Sequence, residues 1–309
     1  MWVEGGNEGM EKTSRRMFLR RGFQAGAAFA LLTARGIETP GWAADLPGSK
    51  MRFGFVTYQW GRDWDLPTLI ANLTECGVFG VELRTEHAHQ VEPNLTAEQR
   101  REVRKKFEDS PVKLIGLGTN EAFDSPDAAK LKQSLERAKA FLTLGHDVGA
   151  SGVKFKPNDF QKGVEHRVTI EQIGKSLNEL GAFGADLGQE VRLEVHGTCC
   201  ELPTIQAILD VATHKNVKVC WNCNDEDLKG DGLAGNFDRV KSRLGATVHV
   251  RELNEGTYPY ADLIKLLVKA DYPGWVCLEG RTEPKDRVAA LKGQRTLFLE
   301  RVKEAQRPG

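Results

Sequence analysis

Eight short apolar runs recur through the chain, and their starts lie 26 to 40 residues apart. They cover 52–57, 78–83, 112–117, 152–156, 191–196, 217–222, 246–251 and 275–279. Each has the length and the Val, Ile and Phe content of a β-strand, and each interval holds a strand, a helix and their loops. Helical patterns fill the intervals at 97–108, 128–144, 170–187, 202–212, 237–244, 260–270 and 286–302. In 128–144, for example, Leu131, Leu135, Ala138 and Leu142 form one apolar stripe. Pro126, Pro203 and Pro259 stand near helix starts, where a missing N–H does no harm. No linker divides residues 50–309, and no GxGxxG follows the first run. The pattern therefore predicts one closed (β/α)8 barrel domain, a TIM barrel, rather than an open doubly wound sheet.

Side chains two apart on a strand share a face. Val191, Leu193 and Val195 lie on one face of the fifth run, and Arg192, Glu194 and His196 on the other. The sixth run sets Lys218, Cys220 and Asn222 against Val217, Val219 and Trp221. The seventh sets Thr247, His249 and Arg251 against Val248 and Val250, and the eighth sets Cys277 and Glu279 against Val276 and Leu278. The second and fourth runs place Glu82 with Arg84, and Lys154 with Lys156, in the same way. If the apolar faces meet the helices, the polar faces line the lumen. Glu194, Asn222, His249 and Glu279 then stand at the C-terminal ends of four successive strands, where such barrels carry their active sites. All four offer oxygen or nitrogen donors to a divalent ion. A buried salt bridge is the plainer reading of any one lumen charge, and Glu82 with Arg84 suits it. Many unpaired charges in one lumen would be costly, which favours coordination or pairing for the set.

These segments resemble the xylose-isomerase-like barrel family, which contains sugar isomerases, sugar epimerases, hydroxypyruvate isomerase and inosose dehydratase. The resemblance spans nearly all of residues 51–300. It is carried by Gly80-Val81-Glu82-Leu83, Leu193-Glu194-Val195-His196, Val217-Lys218-Val219-Cys220-Trp221-Asn222, Val248-His249-Val250-Arg251 and Gly274-Trp275-Val276-Cys277-Leu278-Glu279. It implies that Glu194, Asn222, His249 and Glu279 hold one divalent metal ion: Mn, Mg or Zn. Two departures stand out. The family's sixth-strand Asp is Asn222 here, which can ligate through its carbonyl oxygen but brings no charge. Asp225 occupies a position where the family often has a substrate-contacting His.

The chemistry expected of such a site is proton abstraction beside a carbonyl, through a metal-stabilised enediolate. Glu194 and Glu279 are the candidate acid–base pair. His196, Arg251, Lys156 and Glu82 are the candidate substrate contacts; charge neutralisation, or a plain lumen histidine in the case of His196, is the alternative role. The leading expectation is an isomerase or epimerase acting on a small carbohydrate. A lyase performing β-elimination on a keto-sugar glycoside would use the same intermediate, and a carbohydrate-binding barrel without turnover is the third reading.

Ser14-Arg15-Arg16-Met17-Phe18-Leu19-Arg20 resembles a twin-arginine export motif and precedes an apolar run and small residues up to Ala44. Residues 1–44 are accordingly expected to be a signal peptide, 45–309 the barrel, and the location periplasmic. No later apolar stretch would span a bilayer. Formal net charge is zero, which leaves no basic excess for nucleic acid. A homo-oligomer is left open. The cysteines Cys76, Cys199, Cys200, Cys220, Cys223 and Cys277 are expected to be buried thiols. A four-cysteine zinc site or a disulfide to Cys223 at the barrel mouth is the alternative.

Overall fold

The alternation of apolar and polar residues within each short run becomes, in the computed structural model, eight parallel strands. Residues 46–307 are described, so the expected signal segment lies outside the described residues. The strands are β1 (Arg52–Val56), β2 (Gly80–Arg84), β3 (Lys113–Ala122), β4 (Gly152–Lys156), β5 (Glu190–Glu194), β6 (Val217–Cys220), β7 (Thr247–Val250) and β8 (Trp275–Leu278). The helices are α1 (Leu66–Cys76), α2 (Ala97–Glu108), α3 (Ala128–Val148), α4 (His166–Asp186), α5 (Leu202–Val211), α6 (Gly232–Val240), α7 (Tyr260–Lys269) and α8 (Arg287–Ala305). The order is that of a (β/α)8 barrel, as the sequence predicts.

Pairing runs β6-β5-β4-β3-β2-β1-β8-β7. Between β6 and β7 two isolated bridges replace a ladder: Val219 with Leu244, and Asn222 with His249. The His249 N–H donates to the Trp221 carbonyl at 2.7 Å across this seam. The barrel is thus nearly closed, and its thinnest join carries two of the candidate ligands.

Parity governs the core. Val81, Leu83, Val153, Phe155, Val191, Leu193, Val217, Val219, Val248, Val250, Val276 and Leu278 are all buried in the main hydrophobic cluster with side chains from the helices. Each such side chain contributes about 1.5–3 kcal/mol through burial. Val56, Ile115, Trp275 and Cys277 form a separate small apolar cluster.

Several boundaries differ from the sequence expectation. Strand β3 runs five residues beyond 112–117, reaching Ala122. Helix α6 ends at Val240 rather than spanning 237–244, and a 3-10 turn follows at Lys241–Arg243. Helix α1 is absent from the sequence-derived set, although its signals are local. Asp65 accepts from the Thr68 N–H, Pro67 occupies the first turn, and Gly77 closes the helix at φ 65°. All six cysteines are free and buried. Neither the mouth disulfide nor a four-cysteine metal site forms among the described residues. No helix among these residues is long and apolar enough to cross a membrane.

Candidate metal and sugar site

Glu194 is the last residue of β5, and its neighbour in β6 is Cys220. The chain after β6 stays extended for two residues, which brings Asn222 level with His249 of β7. Glu279 follows β8 directly, and its N–H is anchored on the Val250 carbonyl at 2.7 Å. Donor atoms of Glu194, His249 and Glu279 lie within 4.8 Å of one another, and all three residues are buried. Ligands about 2 Å from a common ion stand at separations of this order.

Asn222 completes one side of the cluster. Its Nδ2 donates to Glu194 Oε1 at 3.2 Å. Its Oδ1 is buried without a hydrogen-bond partner. An orphaned carbonyl oxygen beside a carboxylate and an imidazole suits a cation, since an unsatisfied buried acceptor otherwise costs about 1–3 kcal/mol. The His249 ring is similarly placed. Nδ1 is 3.5 Å from Glu194 Oε1 and Nε2 is 3.3 Å from Glu82 Oε1. Neither contact has the alignment of a hydrogen bond. The residues therefore fit a divalent ion.

Glu82 is fully buried, with its Oε1 3.3 Å from His249 Nε2, the ring nitrogen other than the one beside Glu194. The sequence groups it with the candidate substrate contacts; its position also suits holding the imidazole that faces the cluster. Two glycines of β3 make room for it. A Cβ on Gly118 would fall 2.8 Å from Glu82 Oε1, and one on Gly116 would fall 2.8 Å from Arg192 Nη1. Burial disfavours the charge on Glu82, but His249, Lys154 and Arg192 outweigh it and hold the carboxyl below its ordinary range.

Two buried cations were visible in the strand pattern but not singled out for the site. Lys154, 1% exposed, donates to Glu194 Oε2 at 2.6 Å. Arg192 pairs with Glu190 at 2.6 Å and also donates to the Ile115 carbonyl and Ser151 Oγ. Burial works against the Glu194 charge, yet Lys154 and then His249 keep its carboxyl well below the usual range. Glu194 is thus held ionised, with both oxygens engaged. Glu279 is freer: its nearest cation is Arg281, at 3.8 Å.

The rim is built from loops. Asn158, at φ 64°, turns its carbonyl to the Cys199 N–H at 3.1 Å. Phe160 N–H reaches Thr198 Oγ1, and Thr198 N–H reaches Asp159 Oδ1. These bonds join the loops after β4 and β5 and set His196 beside Lys156. Burial lowers the His196 pKa, and the Lys156, Lys154 and Arg84 charges add to that against the pull of Glu194. Arg251 stands apart from this group. Its charge bears on Glu226 and Asp227 in the loop after β6 and on Tyr260 at the start of α7. That loop is held by Asp227, which accepts from Asn224 N–H and from Tyr258 Oη. Asn224 Nδ2 in turn donates to the Asn222 and Val195 carbonyls. His87 bonds Thr57 and His89 bonds the Arg84 carbonyl, so both serve the rim.

A family model described as xylose isomerase-like TIM barrel matches residues 70–300. Among solved structures, 3-keto-D-glucoside 4-epimerase from E. coli superposes with a TM-score of 0.69 at 16% identity, covering 81% of this chain and 99% of that one. An L-ribulose 3-epimerase gives 0.71 at 15% identity, over 82% and 95% of the two chains. The IOLI protein, solved with a bound zinc atom, gives 0.69 at 13% identity, over 82% and 99%. No curated protein matches the sequence. At these identities the likeness to solved structures is one of fold.

Proposed function

Because the chain belongs to the xylose isomerase-like TIM barrel family, we propose that it is an exported, metal-dependent sugar isomerase or epimerase. The observation that carries the reading is the buried Glu194–His249–Glu279 cluster at the C-terminal ends of adjacent strands. Two sugar epimerases and a zinc-binding protein among the structural neighbours support it. The export motif at Arg15-Arg16 supports a periplasmic substrate.

Glu194, Asn222, His249 and Glu279 would hold the ion, which supplies electrostatic stabilisation for negative charge developing beside a carbonyl. Glu82 orients His249 from behind, and Lys154 keeps Glu194 ionised. Glu279, whose oxygens are not tied to a close cation, takes the carbon-bound proton. His196 and Lys156 contact substrate oxygens at the rim. Lys156 also gives the lyase its specific support: its amine is brought down to about 8, chiefly by burial and then by Lys154 and Arg84. An amine in that range can protonate a leaving glycosidic oxygen.

Glu279→Gln tests the reading. Metal content of the exported protein, and deuterium uptake from solvent into keto-sugars, should both fall at least tenfold while the fold persists. Unchanged values for both would remove Glu279 from the site. Release of an aglycone from a 3-keto-glycoside would select the lyase. Wild-type protein that binds sugar with neither metal nor exchange would leave only the binding role.

A further inference from the structure

The lumen charges divide into those that have a partner and those that do not. Arg192 is matched by Glu190, and Lys154 by Glu194. Arg84 and Lys156 have no carboxylate within ion-pair distance among the described residues. Both instead donate to one neutral atom, Asn120 Oδ1, at 3.0 and 3.1 Å. Their nitrogens are therefore at most about 6 Å apart. Arg84 is only 9% exposed, and its Nε is buried with no hydrogen-bond partner. Its remaining bonds are to the Gly118 and Thr119 carbonyls, which are also uncharged. Two cations held together on a single amide oxygen repel each other, and the depression of Lys156 registers that repulsion after burial and Lys154.

Charge balance extends the point. Around the cluster, Arg84, Lys154 and Lys156 offset Glu82, Glu194 and Glu279, three against three. A bound divalent ion would leave two positive charges in a site of low dielectric. An anionic substrate group would neutralise that excess, and the rim position of Lys156 and Asn120 leaves room for one to enter.

We propose that the pair formed by Arg84 and Lys156 on Asn120 is a carboxylate subsite, so that the substrate is an acidic sugar, of the uronate or aldonate class, rather than a neutral one. This rests on the isomerase reading and narrows its substrate. The carboxylate replaces Asn120 Oδ1 as acceptor for Lys156 and the outer Arg84 nitrogen. It thereby fixes the far end of the sugar while the carbonyl end faces Glu194 and Glu279. Two nitrogens at this spacing can each meet one carboxylate oxygen, which is the favourable geometry for a charge-assisted contact.

The test uses the metal-loaded mature protein and calorimetric titration with D-glucuronate, D-galacturonate and D-mannuronate, beside D-glucose, D-galactose and D-mannose. At least one uronate should bind tenfold or more tightly than its neutral counterpart. Asn120→Asp, which is nearly isosteric and supplies an internal carboxylate to both cations, should remove that preference. Lys156→Gln should weaken the same uronate by tenfold or more. Equal or weaker binding of all three uronates in the wild type would overturn the subsite. So would a uronate preference that survives both variants. Metal binding together with solvent exchange into neutral keto-sugars would persist in that event, so the proposed function would stand without its acidic substrate. Loss of metal binding and exchange in the wild type would remove the function itself.

Discussion

Asn222→Asp is the perturbation that bears most directly on the cluster. The amide Nδ2 is 3.2 Å from Glu194 Oε1, so the variant sets a second carboxylate against the first. At an effective dielectric near 20, two unit charges at that distance repel by about 5 kcal/mol. The site can relieve this by keeping one proton on the pair. Holding a carboxyl with an ordinary pKa near 4 protonated costs about 4 kcal/mol at pH 7 and about 1.5 kcal/mol at pH 5. Lys154 on Glu194 Oε2 offsets part of the repulsion. The metal-free variant should therefore be about 3 kcal/mol less stable than wild type at pH 7, and the deficit should shrink as pH falls to 5. For a domain of this size that is a drop of about 6 °C in Tm. A divalent ion between the carboxylates turns repulsion into two attractions, so saturating Mn2+ should stabilise the variant more than the wild type. The assay is thermal unfolding at pH 5 and 7, in EDTA and in MnCl2. Variant and wild type melting within 2 °C of each other in EDTA at pH 7, or equal gains from Mn2+, would refute the placement of Asn222 beside a cation site.

Asp227 provides a pH prediction. Burial raises its carboxyl to about 7 despite bonds from Asn224 and Tyr258. Its folded pKa thus lies above its unfolded value, so its stabilisation is complete below pH 4 and is lost as pH rises through 7. About three pKa units correspond to roughly 4 kcal/mol; Asp227→Asn should flatten that decline in denaturant titrations at pH 5 and 8, and parallel curves for both proteins would contradict it. Gly197 is at φ 72°, and a Cβ there would fall 2.0 Å from the Asn158 carbonyl oxygen. Gly197→Ala should cost about 2–4 kcal/mol and weaken sugar binding through His196, as calorimetry and chemical unfolding would report; a variant as stable as wild type would contradict the close approach. Burial pushes the thiols of Cys199 and Cys200 to about 12 and about 11. Native protein should therefore expose less than about one of its thiols to a disulfide reagent until denatured, and a reducing agent should leave Tm unchanged; rapid reaction of several thiols would show the mouth to be open.

The barrel was readable because its signals are local. Strand β4 coincides with the expected 152–156, and α2 with 97–108. The ends of β5, β6, β7 and β8 fall one or two residues short of expectation, since polar side chains at the mouth leave the ladder to face the site. Helix α1 escaped because its stripe is short, and its caps carry more information than its periodicity. Parity, strand-end position and family resemblance single out Glu194, His249 and Glu279, and the barrel brings the three into one buried cluster. Parity gives Glu82 and Arg251 a face of their strands, but not the burial of Glu82 against His249 or the nearness of Arg251 to the loop after β6.

A period of two residues and a repeat of one strand and one helix are properties of short segments, and they determined the fold and the inward set of side chains. Depth and partnership are not local. They depend on the stagger between strands and on where small residues leave space across the lumen. Gly116 and Gly118 admit Glu82 behind His249. The bridge between Asn222 and His249 closes the seam. The register of β4 with β5 sets Lys154 level with Arg192, so that its amine reaches Glu194 two residues further along β5, while Arg84 and Lys156 converge on Asn120. Sequence chose which charges enter the lumen; only the closed barrel decided which of them meet, because each pairing joins two strands with at least one whole helix between them along the chain.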